Sequence, residues 1–255
     1  MLGEIESAFA ERDRTEHRLR QFLADASHEL RTPLTSIQGF AELFRLGAPA
    51  PAAPGDRAFE RADGAPGVDL PVIMRRIEEE SARMKTLVED LLLLARLDQT
   101  RPIERAPVDL AVLAADACSD AVAASPDRPV ALDAPEPVVI LGDRDHLRQA
   151  IANLVTNALR HTPDGAPIEV SARVVGDAAT VAVRDHGAGL DEEALAHVFD
   201  RFWQADQARV GTGAGLGLAI VAGIAAEHAG AATAANAPGG GAVFTLRLPL
   251  RPAAR

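Results

Sequence analysis

Apolar residues return at heptad spacing along the N-terminal part of the chain: Ile5 and Phe9, then Leu19, Leu23, Ala26 and Leu30, and beyond Pro33 again Ile37, Phe40 and Phe44. Such spacing lines one side of a long α-helix and calls for a helical partner. Arg12 and Glu16 interrupt the seam, so its first part is marginal alone and depends on something upstream. A second stretch, Leu70 to Leu97, carries Ile73, Ile77, Met84, Leu87, Val88, Leu91 and Leu94 on a broad apolar face. Two such faces pair as an antiparallel hairpin. A hairpin buries each stripe only in part, whereas two hairpins in a four-helix bundle bury the rest, so a homodimer is expected.

Residues 47–69 between the two helices are rich in Pro, Gly and Ala and have no periodicity. Helix connections usually take about 2–8 residues, so this longer segment is expected to be disordered. After Arg101-Pro102 the pattern changes. Val108 to Ala124, Asp143 to Arg160 and Leu216 to His228 have helical character. Val138 to Leu141, Ile168 to Val175, Ala179 to Arg184 and Ala242 to Leu248 are β-branched or alternate as strands do. The fold class is therefore α+β: a helical hairpin, then a domain with helices expected on one face of a sheet.

Composition limits function more than fold. A formal net charge of -11 opposes a nucleic-acid binder, whose affinity comes from clustered Lys and Arg. The single Cys118 can form no internal disulfide and no thiolate metal site within the chain, which fits a reducing compartment. No apolar run approaches the roughly 20 residues needed to span a bilayer, and the charged N-terminal stretch is no signal peptide. As given, the chain is expected to be soluble and cytoplasmic.

Three segments carry chemistry. The first is Ser27-His28-Glu29-Leu30-Arg31-Thr32-Pro33. His28 lies off the seam through Ala26 and Leu30, so its ring is expected to face solvent. Neutral imidazole is a nucleophile near pH 7, and the adjacent Glu29 can accept its ring proton and hold the tautomer. Thr32, four residues on, sets a hydroxyl one turn away on the same face. Pro33 costs about 3 kcal/mol in a helix interior and removes the N–H that would bond the Glu29 carbonyl, which predicts a bend. Read alone, the segment is also satisfied by a solvated histidine and a proline that opens a new helix.

The second is Asn153 to Thr162, where Asn153, Asn157 and His161 stand at i, i+4 and i+8, and Ile151, Leu154, Val155 and Ala158 form the buried face. Amide oxygens suit a hard cation such as Mg²⁺ bridging phosphates, and Arg160 adds a phosphate-pairing charge. Solvated amides on an amphipathic helix are the other reading. The third comprises two glycine segments. Asp185-His186-Gly187-Ala188-Gly189 leaves a carboxylate at a strand's end, where it could accept from an adenine amino group; a plain turn is the alternative. Gly211 to Leu218 opens a helix whose N–H groups suit phosphate. It is neither a Walker motif nor a dinucleotide fingerprint.

In this order the segments resemble the bacterial two-component sensor histidine kinases over nearly the whole chain. FLADASHELRTPLTSIQGF is similar to the H box, QAIANLVTNALRHT to the N box, VRDHGAGL to the first glycine box, VFDRF to the F box and GAGLGLAIV to the second glycine box. The resemblance implies a dimeric phosphotransfer hairpin over 21–100 and an α/β-sandwich ATP-binding domain of the Bergerat (GHKL) type over 101–255. It implies autophosphorylation of His28 from ATP, with Glu29 as base, and transfer to an Asp of a response regulator. Thr32 matches the residue that helps remove the phosphoryl group from that partner. Asn157 would be the Mg²⁺ ligand, with Asn153, Arg160 and His161 near the nucleotide, and Asp185 would read adenine. Gly187, Gly189, Gly213, Gly215 and Gly217, with Leu216 and Leu218, would shape the phosphate and lid backbone, and Phe199 and Phe202 would anchor the lid. Residues 1–20 look like the tail of a HAMP domain, which implies a truncated form of a receptor anchored in the bacterial inner membrane.

Two features depart from the family pattern. Where a Tyr-Arg pair often follows the F box, this chain has Trp203 and Gln204, leaving Arg201 or Arg209 to neutralise developing charge and implying slower catalysis. The 47–69 loop is also longer than usual. The gyrase, heat-shock and mismatch-repair ATPases share the implied nucleotide site but lack an H box, and a non-catalytic scaffold would be motivated by Gln204.

Overall fold

Pro33 stands inside a helix and does not start one. In the computed structural model, which describes residues 2–46, 70–99, 105–205 and 213–250, helix α1 (Leu2–Leu46) runs through it. Side chains of α1 are described from Leu23 to Arg45, so the early seam of Ile5, Phe9 and Leu19 falls outside that range. The 47–69 segment, the Arg101-Pro102 break and Arg209 also lie outside the described residues. Helix α2 covers Leu70–Leu97. The chain divides into two compact units, Met1–Leu91 and Leu92–Arg255.

In the N-terminal unit the heptad logic is visible in burial. Ala26 of α1 and Ile73 and Leu87 of α2 are buried, with Ile73 only 1% exposed. Much apolar surface stays uncovered, including Leu23, Leu34, Phe44, Met74 and Val88. No helix among the described residues is long and apolar enough to cross a membrane.

The C-terminal unit contains β1 (Ala106–Asp109), α3 (Leu110–Ala124), β2 (Val130–Asp133), β3 (Val139–Gly142), α4 (Arg144–His161), β4 (Ile168–Val175) and β5 (Ala178–Asp185). It continues with α5 (Glu192–His197), α6 (Gly217–Glu227), β6 (Ala231–Asn236) and β7 (Ala242–Pro249). Five strands form a mixed sheet in the order β2-β4-β5-β7-β6, with β2 parallel to β4 and the other pairs antiparallel. β1 and β3 form a separate antiparallel pair.

Alternation decides which face of the sheet is covered. Val170 pairs with Val183, and Val183 with Phe244, so one row of apolar side chains crosses three strands. All three are buried, while Glu169, Arg173 and Arg247 point to the other, open face. Helices α3, α4 and α6 contact the sheet, and α4 packs between the other two. Leu147, Ile151 and Leu154 of α4 are fully buried, each contributing about 1.5–3 kcal/mol of transfer free energy.

The expected elements are present, with four additions. The helix predicted from Val108 begins at Leu110, because Val108 and Asp109 pair with β3 and the Asp109 carboxylate caps the helix through the Ala111 N–H at 3.0 Å. The strands β2 and β6 and the short helix α5 had no sequence expectation.

Candidate active site

Asp185 ends β5 as a buried side chain, 5% exposed. Its Oδ1 accepts two backbone N–H groups, from Gly187 at 2.9 Å and from Ala242 at 3.1 Å. Among the described residues Oδ2 accepts no hydrogen bond, so it is the oxygen available to an exocyclic amine. The turn after Asp185 is held on both sides. A side chain at Gly241 would collide with the Asp185 carbonyl, and one at Gly187 would stand 3.2 Å from the His161 carbonyl. The last turn of α4 therefore lies against the Asp185 turn.

Asn236 of β6 fixes the next step of the chain. Its Oδ1 accepts the Leu190 N–H at 2.7 Å, and its Nδ2 donates to the Leu190 carbonyl at 2.8 Å. Gly189, at φ +81°, is held under this clamp.

Helix α4 starts at the Asp143 cap, whose Oδ1 accepts the Asp145 and His146 N–H groups, and it presents the expected polar row. The two asparagines behave differently. Asn153 is occupied within the protein: it accepts from Gln149 Nε2 at 3.2 Å and donates to the Gly217 carbonyl at 3.1 Å, tying α4 to the start of α6. The side chain of Asn157, half-buried, makes no hydrogen bond among the described residues, so its amide oxygen remains a hard donor. Arg160 is exposed and lies beside Gly213, where an added Cβ would come within 2.6 Å of Nη1. His161 is also exposed.

The start of α6 carries no side-chain cap, so no capping side chain takes up its first N–H groups. The side chains of Leu216 and Leu218 are buried. Gly215, at φ +67°, accepts the Phe202 N–H at 3.0 Å, and Phe202 itself sits at φ +62°. Phe199 and Phe202 are half-buried. Arg201 pairs with Asp98 at 2.6 Å within the C-terminal unit.

Sequence reasoning missed Asn236 and Arg128. Arg128, 7% exposed, donates from Nη2 to the Thr162 carbonyl at 3.2 Å and the Pro163 carbonyl at 3.1 Å, placing a cation at the negative end of α4. A capping arginine from a distant loop leaves no local motif. Asn236 sits in an alanine-rich strand with equally little signal.

In the N-terminal unit, His28 is exposed as its off-seam position predicted, beside buried Ala26. Thr32 is exposed on the same face, and its hydroxyl donates to the His28 carbonyl at 3.5 Å. Glu29 is half-buried; burial first, then the charge of Asp25, raises its carboxyl above the ordinary range, against a smaller lowering by His28.

Two family models match the chain. His Kinase A (phospho-acceptor) domain matches residues 18–100, and histidine kinase-, DNA gyrase B-, and HSP90-like ATPase matches residues 142–252. The probable sensor histidine kinase TcrY of Mycobacterium tuberculosis (strain ATCC 25618 / H37Rv) is 42% identical over 253 residues, covering 98% of this chain and 50% of that protein. Sensor histidine kinase TrcS of the same strain is 40% identical over 257 residues, covering 98% of this chain and 47% of that protein. The chain thus spans about half the length of these curated relatives. Among solved structures, histidine kinase ThkA in complex with response regulator protein TrrA superposes with a TM-score of 0.69 at 22% identity, covering 92% of this chain and 63% of that one, a likeness of fold. With a phospho-acceptor module followed by a kinase-type ATPase module along one chain, the protein belongs to the two-component sensor histidine kinases.

Proposed function

We propose that this chain binds ATP, phosphorylates its own His28 and passes the phosphoryl group to an aspartate of a separate response regulator. The observation that carries the reading is the exposed His28 imidazole beside a carboxyl whose proton affinity is raised, in one chain with a buried Asp185 that keeps an oxygen open. A ring nitrogen attacks the γ-phosphorus, the bond to the β–γ bridging oxygen breaks and ADP leaves, while Glu29 takes the ring proton.

Asp185 orients adenine through Oδ2, and Arg160 and the uncapped start of α6 receive phosphate oxygens. Asn157 fits the magnesium that such kinases use: its amide oxygen is uncommitted, and Mg²⁺ commonly takes few protein ligands beside phosphate and water. Bound there, the ion would neutralise charge on the phosphates. Arg201 and Arg209 remain the candidate cations for the transition state.

The same reading divides the chain into a phosphotransfer hairpin, 21–100, and a catalytic domain, 101–255. The uncovered apolar residues Leu23, Leu34, Phe44, Met74 and Val88 support a homodimeric four-helix bundle. Residues 1–20 continue a signalling helix from a membrane-anchored sensor. Thr32, one turn from His28, supports a second activity, hydrolysis of the regulator's phosphoryl group. A response regulator as partner has support from the ThkA complex.

Incubation with γ-labelled ATP tests the proposal. Wild-type chain should acquire acid-labile label that His28→Ala lacks; equal labelling of the two, or none in either, would overturn it.

A further inference from the structure

Gln204 occupies the position where an arginine would have supplied charge, and the structure gives it another task. Its Nε2 donates to the Gly213 carbonyl at 2.9 Å. Two residues earlier, the Phe202 N–H bonds the Gly215 carbonyl at 3.0 Å. These two rungs run side by side and clasp 202–204 to 213–215. The clasp is tight, since a Cβ at Gly215 would stand 2.7 Å from the Trp203 carbonyl and 2.8 Å from the Phe202 carbonyl carbon.

Both clasped glycines have positive φ, Gly213 at +104° and Gly215 at +67°, a conformation that glycine adopts readily and side-chain-bearing residues avoid. Gly213 also abuts Arg160, so the rung made by Gln204 sets the distance between the α4 guanidinium and the backbone that leads into α6.

We propose that Gln204 is a positioning residue for the phosphate end of the nucleotide site. It contributes no charge. By bonding the Gly213 carbonyl it fixes the glycine backbone against Arg160, so that the N–H groups ahead of α6 and the guanidinium are pre-arranged around a triphosphate. The inference rests on the ATP-binding reading above and adds to it which residue holds the site in register.

The test compares adenosine with the non-hydrolysable triphosphate adenylyl imidodiphosphate on the full 255-residue chain. Binding is followed by titration for wild type, Gln204→Ala and the near-isosteric Gln204→Glu, which places an acceptor against the Gly213 carbonyl. Loss of one hydrogen bond should weaken triphosphate binding about fivefold to tenfold in Gln204→Ala, and at least as much in Gln204→Glu. Adenosine binding, which depends on Asp185 far along the chain from this clasp, should stay within about twofold, a contrast that mere loss of stability does not give. The KM for ATP should rise in parallel.

Unchanged triphosphate affinity in both variants would overturn the role of Gln204 while leaving ATP binding intact. Equal losses for adenosine and triphosphate would overturn it too, by showing a general structural effect. A wild-type chain that binds neither ligand would remove the ATP-binding reading itself, and this proposal with it.

Discussion

His228 and Asp143 are joined by a hydrogen bond that only a neutral imidazole can accept: Nε2 of the ring takes the Asp143 N–H at 3.0 Å, while Nδ1 donates to the Ile224 carbonyl at 2.8 Å. The ring is 3% exposed and links the end of α6 to the cap of α4.

Burial holds the His228 pKa below its ordinary 6.5, and Arg105 and His146 push the same way; the Ile224 carbonyl and Glu227 oppose them. Above about 6.5 folded and unfolded chains both keep the ring neutral. Below it the unfolded chain binds a proton that the folded one refuses, so this group's share of stability is lost as pH falls. The thermal midpoint should drop from pH 7 toward pH 5 more steeply in wild type than in His228→Gln. Parallel curves would remove His228 as the cause.

Gly142 lies directly under that ring, and a methyl there would come within 2.7 Å of Leu147 Cδ1 and 2.8 Å of His228 Nε2. Gly142→Ala should destabilise the C-terminal unit by about 1–3 kcal/mol, read from denaturant unfolding.

At Asp185 two substitutions separate binding from stability. Asn can still accept both backbone N–H groups through Oδ1, yet it offers a donor where the proposed adenine contact needs an acceptor. Asp185→Asn should therefore cost more than about tenfold in ATP affinity with a small change in thermal midpoint. Asp185→Ala also strands the Gly187 and Ala242 N–H groups and should lose about 1–3 kcal/mol of stability.

The raised proton affinity of Glu29 suits the base of the proposed autophosphorylation, whose acid limb should then lie above the ordinary carboxyl value of 4.5. Activity should fall as pH drops through that raised value. Glu29→Gln should slow phosphorylation about 10²- to 10⁴-fold and flatten the limb, measured as initial rates of His28 labelling across pH.

Arg128→Met keeps the buried aliphatic volume but removes the donor to the Thr162 and Pro163 carbonyls. We expect a loss of about 2 kcal/mol in unfolding free energy and weaker ATP binding, because the end of α4 backs the Asp185 turn.

What could be read from residue order alone was governed by how local the cause is. The exposure of His28 follows from its offset against Ala26 and Leu30, and the buried row of α4 from a helical period. β4, β5 and β7 announce themselves by alternation. β6 could not, since its run Ala231 to Asn236 is mostly alanine, a poor strand former placed by pairing with β7. β2 was hidden for a similar reason, as a four-residue edge strand bonded only to β4. Within the site, the residues on helices and glycine turns could be found from spacing. Arg128 and Asn236 could not, because each acts on a carbonyl or N–H dozens of residues away. The different fates of Asn153 and Asn157 were equally closed to spacing, since only the fold brings Gly217 to one of them.

The bond from the Ala242 N–H to Asp185 Oδ1 joins positions 57 residues apart, one at the end of β5 and the other at the start of β7. A ribosome releases the first of them well before the second. During that interval the nascent chain has the His28 helix complete but lacks the strand that steadies the Asp185 carboxylate, so under the proposed function competence for nucleotide arrives late in translation, and a product cut short before β7 would carry His28 with no donor site of its own.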